Sequence, residues 1–282
     1  MINLDFLKHL NRLSLIISKR ITSNYLGERE SINPGEGLVF KDYRIYAPGD
    51  DIKHIDWNVY ARSDNMFLRT FESERNLTIH IVLDMSASMN FGRPIKKSDF
   101  ADMLGIGFAY MALKNNEKFV ISTFSDKLDV FKAQKGKGQL MKVVDYLNRK
   151  EASGASNLEA SLGKYRRWIG SRSLIIIVSD FLYDVKEIRS ILHKLKRNDI
   201  KLIQVLDQTE SRLNLEGDFR LKDLESNSIL RTFIGPFLRK RYFNKLEEHN
   251  TKIKEACAEV GAQFYSVSTE KPIFEVFAEV LR

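Results

Sequence analysis

The period of the apolar positions changes along this chain, and the changes divide it. Near the start, Leu4, Leu7, Leu10, Leu13 and Ile17 recur at the spacing of one helix face, so residues 1–30 are expected to hold an amphipathic helix. Over 31–76 the texture differs. NPGEG, APGDD and ARSDN are turn signals, and GLVFKDYRIY (37–46) and NMFLRTFESE (65–74) alternate as short strands do. A small β-rich element without a long helix is expected there.

From 77 to 282, apolar runs and helical stretches take turns. NLTIHIVLD (76–84) and SLIIIVSD (173–180) are apolar on both faces, as fully buried strands are; the second is rich in β-branched residues, which suit a pleated core. KFVISTFSD (118–126), IKLIQVLD (200–207) and AQFYSVS (262–268) read as further strands, KLDVFKA (127–133) as a short edge piece and FRLKDLESNSILRTF (219–233) as a hairpin. Helices are expected over 98–116 with Ser98 as N-cap, over 138–150, over 156–170 with Ser156 or Asn157 near its start, over 185–199, over 236–260 and at the C-terminus. Strands separated by helices imply parallel βαβ units. The expected fold class is therefore α/β: a doubly wound, mostly parallel sheet over 77–282, with the β-rich element of 31–76 and the helix of 1–30 before it.

Composition narrows the function classes. The 282 residues carry a net charge of +8. Residues 1–76 balance at 11 basic and 11 acidic, so the excess lies in 77–282, with 34 against 26. The basic charges are mostly dispersed, as on a solvated surface. One stretch, LRKRYFNK (238–245), interleaves Arg239, Lys240, Arg241 and Lys245 with aromatics, as some single-strand binders do; its apolar positions also fit a packed helix with a basic face. The single cysteine, Cys257, allows no internal disulfide and no Cys/His metal pattern. Helix packing is its expected role, and a reducing, cytoplasmic setting is the expected location. No run approaches the ~20 apolar residues that span a bilayer. The N-terminal helix is expected to dock on protein, with contact to a membrane surface as the alternative.

In doubly wound sheets, ligands bind beyond the carboxyl ends of the strands. Three polar clusters fall at such places: Asp84, Ser86 and Ser88; Ser156 and Asn157 after Gly154; Ser179 and Asp180. They offer only oxygen donors, the choice of hard cations. Few carboxylates and small hydroxyls suit Mg²⁺ best, with Mn²⁺ or Ca²⁺ as alternatives. Alternate residues of the D-x-S-x-S loop can converge on one ion, or the serines can satisfy backbone groups and cap a helix.

DMSAS, GASNL and VSDF together resemble the metal-ion-dependent adhesion site of von Willebrand factor A domains. The resemblance implies Asp84, Ser86, Ser88, Ser156 and Asp180 as metal ligands. Ser156 stands where Thr is usual, keeping the hydroxyl and losing the methyl that restricts its rotamer. The segment GLVFKDYRIYAPGDDIKHIDWNVYARSDNMFLRTFESE resembles the signature that precedes the A domain in the bacterial and archaeal domain-of-unknown-function family fifty-eight, whose members are often associated with MoxR-type AAA+ ATPases. Lys53 and His54 stand where an Arg is common. Asp42, Tyr43, Arg44, Asp50, Asp51, Asp56 and Trp57 of this signature are expected either to form a locking ion-pair network or to present an interaction face.

The expected function is a non-enzymatic, metal-dependent protein-binding module. The resemblance implies action with a MoxR-type AAA+ ATPase in assembling or activating other proteins, the partner supplying an acidic residue to the metal. A Mg²⁺-dependent phosphatase or nuclease would need a nucleophile or base beside the metal. No second Asp stands two residues after Asp84, no Walker loop or G-x-S-x-G is present, and the histidines are scattered. That class and nucleic-acid binding are the alternatives.

Overall fold

The computed structural model describes residues 39–72, 78–132, 138–170, 172–224 and 228–281. The N-terminal helix expected over 1–30 lies outside them. The chain divides into two compact units, one holding residues 39–72 and the other residues 78–281.

In the smaller unit, β1 (Val39–Ile45) pairs antiparallel with β2 (Phe67–Glu72). The sequence reading expected both strands. It did not anticipate α1 (Trp57–Ser63) between them. Asp56 starts that helix, its side chain accepting from the amides of Asn58 and Val59, the N-cap arrangement. Asp64 ends it in the left-handed region, at φ 54°. Ile55 and Leu68 are the buried apolar residues of this unit among those described.

The larger unit is built on a six-stranded sheet. Its strands are β3 (Thr78–Asp84), β4 (Lys118–Phe124), β5 (Leu128–Lys132), β6 (Leu174–Ser179), β7 (Asp199–Leu206) and β10 (Gln263–Ser268), in the order β10-β7-β6-β3-β4-β5. All neighbours are parallel except β4 and β5, so the expected edge piece is an antiparallel edge strand. β3 and β6 are buried nearly end to end, which is why they read as continuous apolar runs rather than alternating ones.

Helices cover both faces. On one lies α2 (Lys97–Lys114), packed on β3, β4 and β7 and against α3 (Gly138–Arg149) and α8 (Ile273–Val280). Its glycines make this close approach: a Cβ on Gly105 would meet Leu83 at 2.8 Å, and one on Gly107 would meet the Phe277 ring at 2.0 Å. On the other face α4 (Leu158–Tyr165), α5 (Val185–Leu195) and α7 (Pro236–Ala258) enclose Val82, Ile175, Ile177 and Leu202. Cys257 is buried in that core, as its helical position predicts, and burial pushes its thiol up to about 12.

The expected Ser98 cap is corrected. The helix begins one residue earlier, at Lys97, with Lys96 at the cap position and no side-chain cap bond. Asn157 does cap α4, through Ala160 N at 2.9 Å. Between β7 and β10 stand a short α6 (Gln208–Arg212) and the expected hairpin, β8 (Gly217–Lys222) and β9 (Ile229–Ile234), paired only with each other.

Candidate metal centre at the strand ends

The sheet order fixes where the site sits. From β3 the chain steps to β4 on one side and later to β6 on the other. The crevice at this reversal, beyond the carboxyl ends of β3 and β6, is the switch point at which such sheets bind ligands. Asp84 is the last residue of β3, and Ser179 and Asp180 end β6.

Asp84 is fully buried. Its Oδ1 accepts from Ser86 N at 2.9 Å, and its Oδ2 accepts from Ser179 Oγ at 2.6 Å and from the Tyr183 hydroxyl. Ser86 Oγ lies 3.0 Å from Ser88 Oγ. The Tyr183 hydroxyl also bonds Ser156 Oγ, so one phenol links the first-strand carboxylate to the loop before α4. Backbone bonds hold these loops together: Ala87 N donates to Gly154 O at 2.9 Å and Ser153 N to Met85 O at 2.9 Å. Gly154, at φ 83°, takes the left-handed turn that brings Ser156 round.

Asp180 is buried and turned differently. Its Oδ2 accepts from Lys97 Nζ at 3.0 Å, and Lys97 also donates to Glu210 Oε1 at 2.7 Å. Lys97 is 0% exposed. Burial disfavours its charge, but Asp180 and Glu210 outweigh burial and hold its pKa above the ordinary lysine value. The next residue, Phe181, sits at φ 50°, a rare conformation for a bulky side chain. Both its backbone groups are held: its N–H by Ser179 Oγ at 3.2 Å, its carbonyl by His249 Nε2 at 2.8 Å.

The electrostatics of Asp84 follow from this shell. Burial, and then the charge of Asp180, push its carboxyl up to about 6, although Ser179, Tyr183 and Ser86 donate to it. Burial also raises the Tyr183 phenol, reinforced by Asp84 and Asp180, so Tyr183 acts as a neutral donor. All donors converging here are oxygens. Among the described residues no group of three or more His, Cys, Asp or Glu could hold a metal, so a cation here would rely on hydroxyls.

Hydrogen bonds thus join Asp84, Ser86, Ser156 and, through Ser86, Ser88, with Tyr183 among them. Asp180 lies at the adjacent strand end, with one carboxylate oxygen on Lys97. Ser179 was named from sequence in the strand-end cluster with Asp180 but not among the metal ligands; Tyr183, Lys97 and Glu210 were not named at all. Ser179 lies inside the VSDF motif. Lys97 carries no local signal, because the exposed Lys96 beside it looks the same.

The signature residues form a separate knot in the smaller unit. Asp56 Oδ2 accepts from Tyr43 OH at 2.9 Å and from Arg69 Nε at 2.8 Å. The Arg69 guanidinium holds the Asp56 carboxyl far below the usual range. Arg44 Nη2 donates to Asp50 Oδ1 at 2.7 Å, and Asp50 Oδ2 accepts from Ala47 N at 3.0 Å. Asp51 accepts from Lys53 N, and Asp42 from Tyr43 N. Trp57 stays 55% exposed with its ring edge-on to Tyr60.

The family described as "Protein of unknown function DUF58" matches residues 42–252. The chain belongs to this family. Among the relatives of this DUF58 chain is the uncharacterized protein Rv1480 of Mycobacterium tuberculosis (strain ATCC 25618 / H37Rv), 25% identical over 267 residues that span 93% of this chain and 84% of the relative. The solved structure of BatB, a conserved hypothetical protein from Bacteroides thetaiotaomicron, superposes with a TM-score of 0.45 at 11% identity, covering 73% of this chain and 97% of its own. The SpRpn10 VWA domain gives a TM-score of 0.42 at 14% identity, covering 72% of this chain and 93% of its own. The architecture is α/β, with a mostly parallel six-stranded sheet and small antiparallel elements. No helix among the described residues is long and apolar enough to cross a membrane.

Proposed function

We propose that this DUF58 protein is a non-enzymatic, metal-dependent protein-binding module that acts with a MoxR-type AAA+ ATPase in assembling or activating other proteins. The observation that carries the reading is the cluster at the switch point built on a buried Asp84, which accepts only from neutral donors, the Ser86 amide and the Ser179 and Tyr183 hydroxyls, and feels the charge of Asp180. A divalent cation would compensate the charge of this shell. The donor chemistry fits Mg²⁺, with Mn²⁺ or Ca²⁺ as alternatives. Asp84, Ser86, Ser88 and Ser156 are the residues that would hold it, with Asp180 behind. Bound there, the ion supplies Lewis acidity and a coordination position for a partner's carboxylate.

The chain's own residues prepare that contact. Ser179 and Ser86 N orient Asp84. Tyr183 bridges Asp84 and Ser156 through its hydroxyl, so it holds two of the residues that would contact the ion in one place. Lys97 neutralises part of the charge of Asp180 and Glu210. A binding role is also supported by the histidines. Among the described residues, His80 bonds the Tyr165 hydroxyl and His249 the Phe181 carbonyl, so both imidazoles are engaged away from the Ser86 hydroxyl, where nucleophilic catalysis would need a base.

The test is a pull-down of a purified MoxR-type ATPase by the full chain in Mg²⁺, in EDTA, and with Asp84→Ala. Retention only by wild type in Mg²⁺ supports the reading. Equal retention in all three rules out the metal bridge, and no retention in any removes the proposed partner.

A further inference from the structure

The β8–β9 ribbon leaves the sheet through α6, at the same carboxyl end as Asp84 and Asp180. Its base is anchored: Ile234 is buried, Arg239 donates to Leu215 O at 3.0 Å and Tyr242 OH to Glu210 O at 2.7 Å. Its outer part is not. Ile229 is 68% exposed, Leu230 and Phe233 are each 63% exposed, and Phe237 in the first turn of α7 is 82% exposed. A two-stranded ribbon is marginal without a further strand or covering surface.

The register makes one face distinctive. Arg220 stands opposite Arg231, Lys222 opposite Ile229 and Asp218 opposite Phe233. Directly opposed like charges destabilise a ribbon, and neither arginine forms a salt bridge among the described residues. Cationic and large apolar groups therefore alternate along an uncovered face.

We propose that this face is a docking strip for an acidic segment of a partner protein that also carries apolar residues. Its carboxylates would lie between Arg220 and Arg231, where they relieve the repulsion, and its apolar side chains would cover Ile229 and Phe233. Three other occupants fit less well. A second copy would bring arginines to arginines. A bilayer entered tip-first would meet the acid Asp223, just beyond the paired strands, before the cations of the face. A nucleic acid would find one ring on this face, Phe233, set opposite the acid Asp218, and an aliphatic Ile229 that offers no stacking surface. The inference rests on the proposed function only in taking the partner to be a protein, and it does not use the Asp84 centre.

The probe is a labelled synthetic peptide of alternating glutamate and leucine, titrated with the full chain and followed by fluorescence anisotropy. The variants are Arg220→Glu with Arg231→Glu, Ile229→Ser with Phe233→Ser, and Asp84→Ala, each checked by circular dichroism. The expected result is a loss of at least about tenfold in affinity for both ribbon variants, none for Asp84→Ala in EDTA, and slowed hydrogen exchange of the 217–234 amides in wild type on peptide addition. The proposal is overturned if the ribbon variants bind as wild type does, or if a glutamate–serine peptide binds equally well. It also fails if phosphatidylserine vesicles or a single-stranded oligonucleotide compete the peptide off and protect the same amides more strongly. Loss of binding in Asp84→Ala with the ribbon variants unaffected would instead move the contact to the metal centre.

Discussion

Asp56 and Asp84 are both buried aspartates that accept backbone and side-chain hydrogen bonds, yet their carboxyls are pushed in opposite directions. Asp56 has a guanidinium, a phenol and two amides at the start of a helix. Its charge is answered inside its own unit. Asp84 has two hydroxyls and one amide, with the charge of Asp180 as neighbour. Neutral donors orient a carboxylate without compensating its desolvation. The first arrangement is compensated within its own unit. The second leaves a negative charge that a cation would stabilise, and this difference motivates the proposal made for Asp84.

The largest break in the comparison comes from removing the buried ammonium of Lys97 beside Asp180. Lys97→Met leaves Asp180 and Glu210 in a buried environment without their cation, and should cost about 3–5 kcal/mol in chemical denaturation. Asp56→Asn should likewise destabilise the smaller unit, read as earlier proteolytic cleavage within residues 39–72.

Asp84→Asn should do the opposite in EDTA. The folded pKa of Asp84, about 6, lies above its ordinary value of 3.8. Its contribution is therefore favourable at low pH and is lost as pH rises through 6. At pH 7 the asparagine variant should be more stable than the metal-free wild type by about 3 kcal/mol, with the gap closing as Mg²⁺ is added to wild type. A gap that persists in saturating Mg²⁺ would break the comparison.

His80 supplies a counter-slope. Buried against Tyr165, its pKa is lowered from 6.5 to about 4 by desolvation. Its stability contribution is present above 6.5 and lost as pH falls towards 4, by about 3 kcal/mol. In wild type the Asp84 term opposes it over most of that window. The acid-side loss should therefore appear in Asp84→Asn and vanish when His80→Phe is added. The smallest effect is expected of Tyr183→Phe. Freed of the phenol, Asp84 and Ser156 should take Mg²⁺ about tenfold more tightly by calorimetry, a difference of ~1.4 kcal/mol.

The fold was legible where burial writes itself into composition. β3 and β6 are apolar on both faces, and their alternation with helical stretches implied the parallel sheet and hence where its carboxyl ends lie. Asp84 and Asp180 could be found because that topology names the place to look. Tyr183 and Lys97 could not. Tyr183 reaches the site from the loop after β6, which carries no periodic pattern, and the buried Lys97 differs from its exposed neighbour only in a contact made 83 residues away. The α1 helix carried a local signal, Asp56 before Trp57, but the dense turn residues around it read as irregular. The Ser98 cap failed because the approach through Lys96 leaves the helix start to backbone geometry.

The pairing of β3 with β6 also governs the order in which the molecule can assemble. Asp84 and Ser179 bond across 95 residues of chain, and that loop must close before the contact gives anything back. A chain emerging from the ribosome can join β3, β4 and β5 while β6 is still unmade, leaving one side of β3 open. Topologies of this kind fold slowly, and their unfinished edges invite mispairing. The Asp84–Ser179 contact is consequently a late product of folding, formed only after synthesis has passed the midpoint of the sheet.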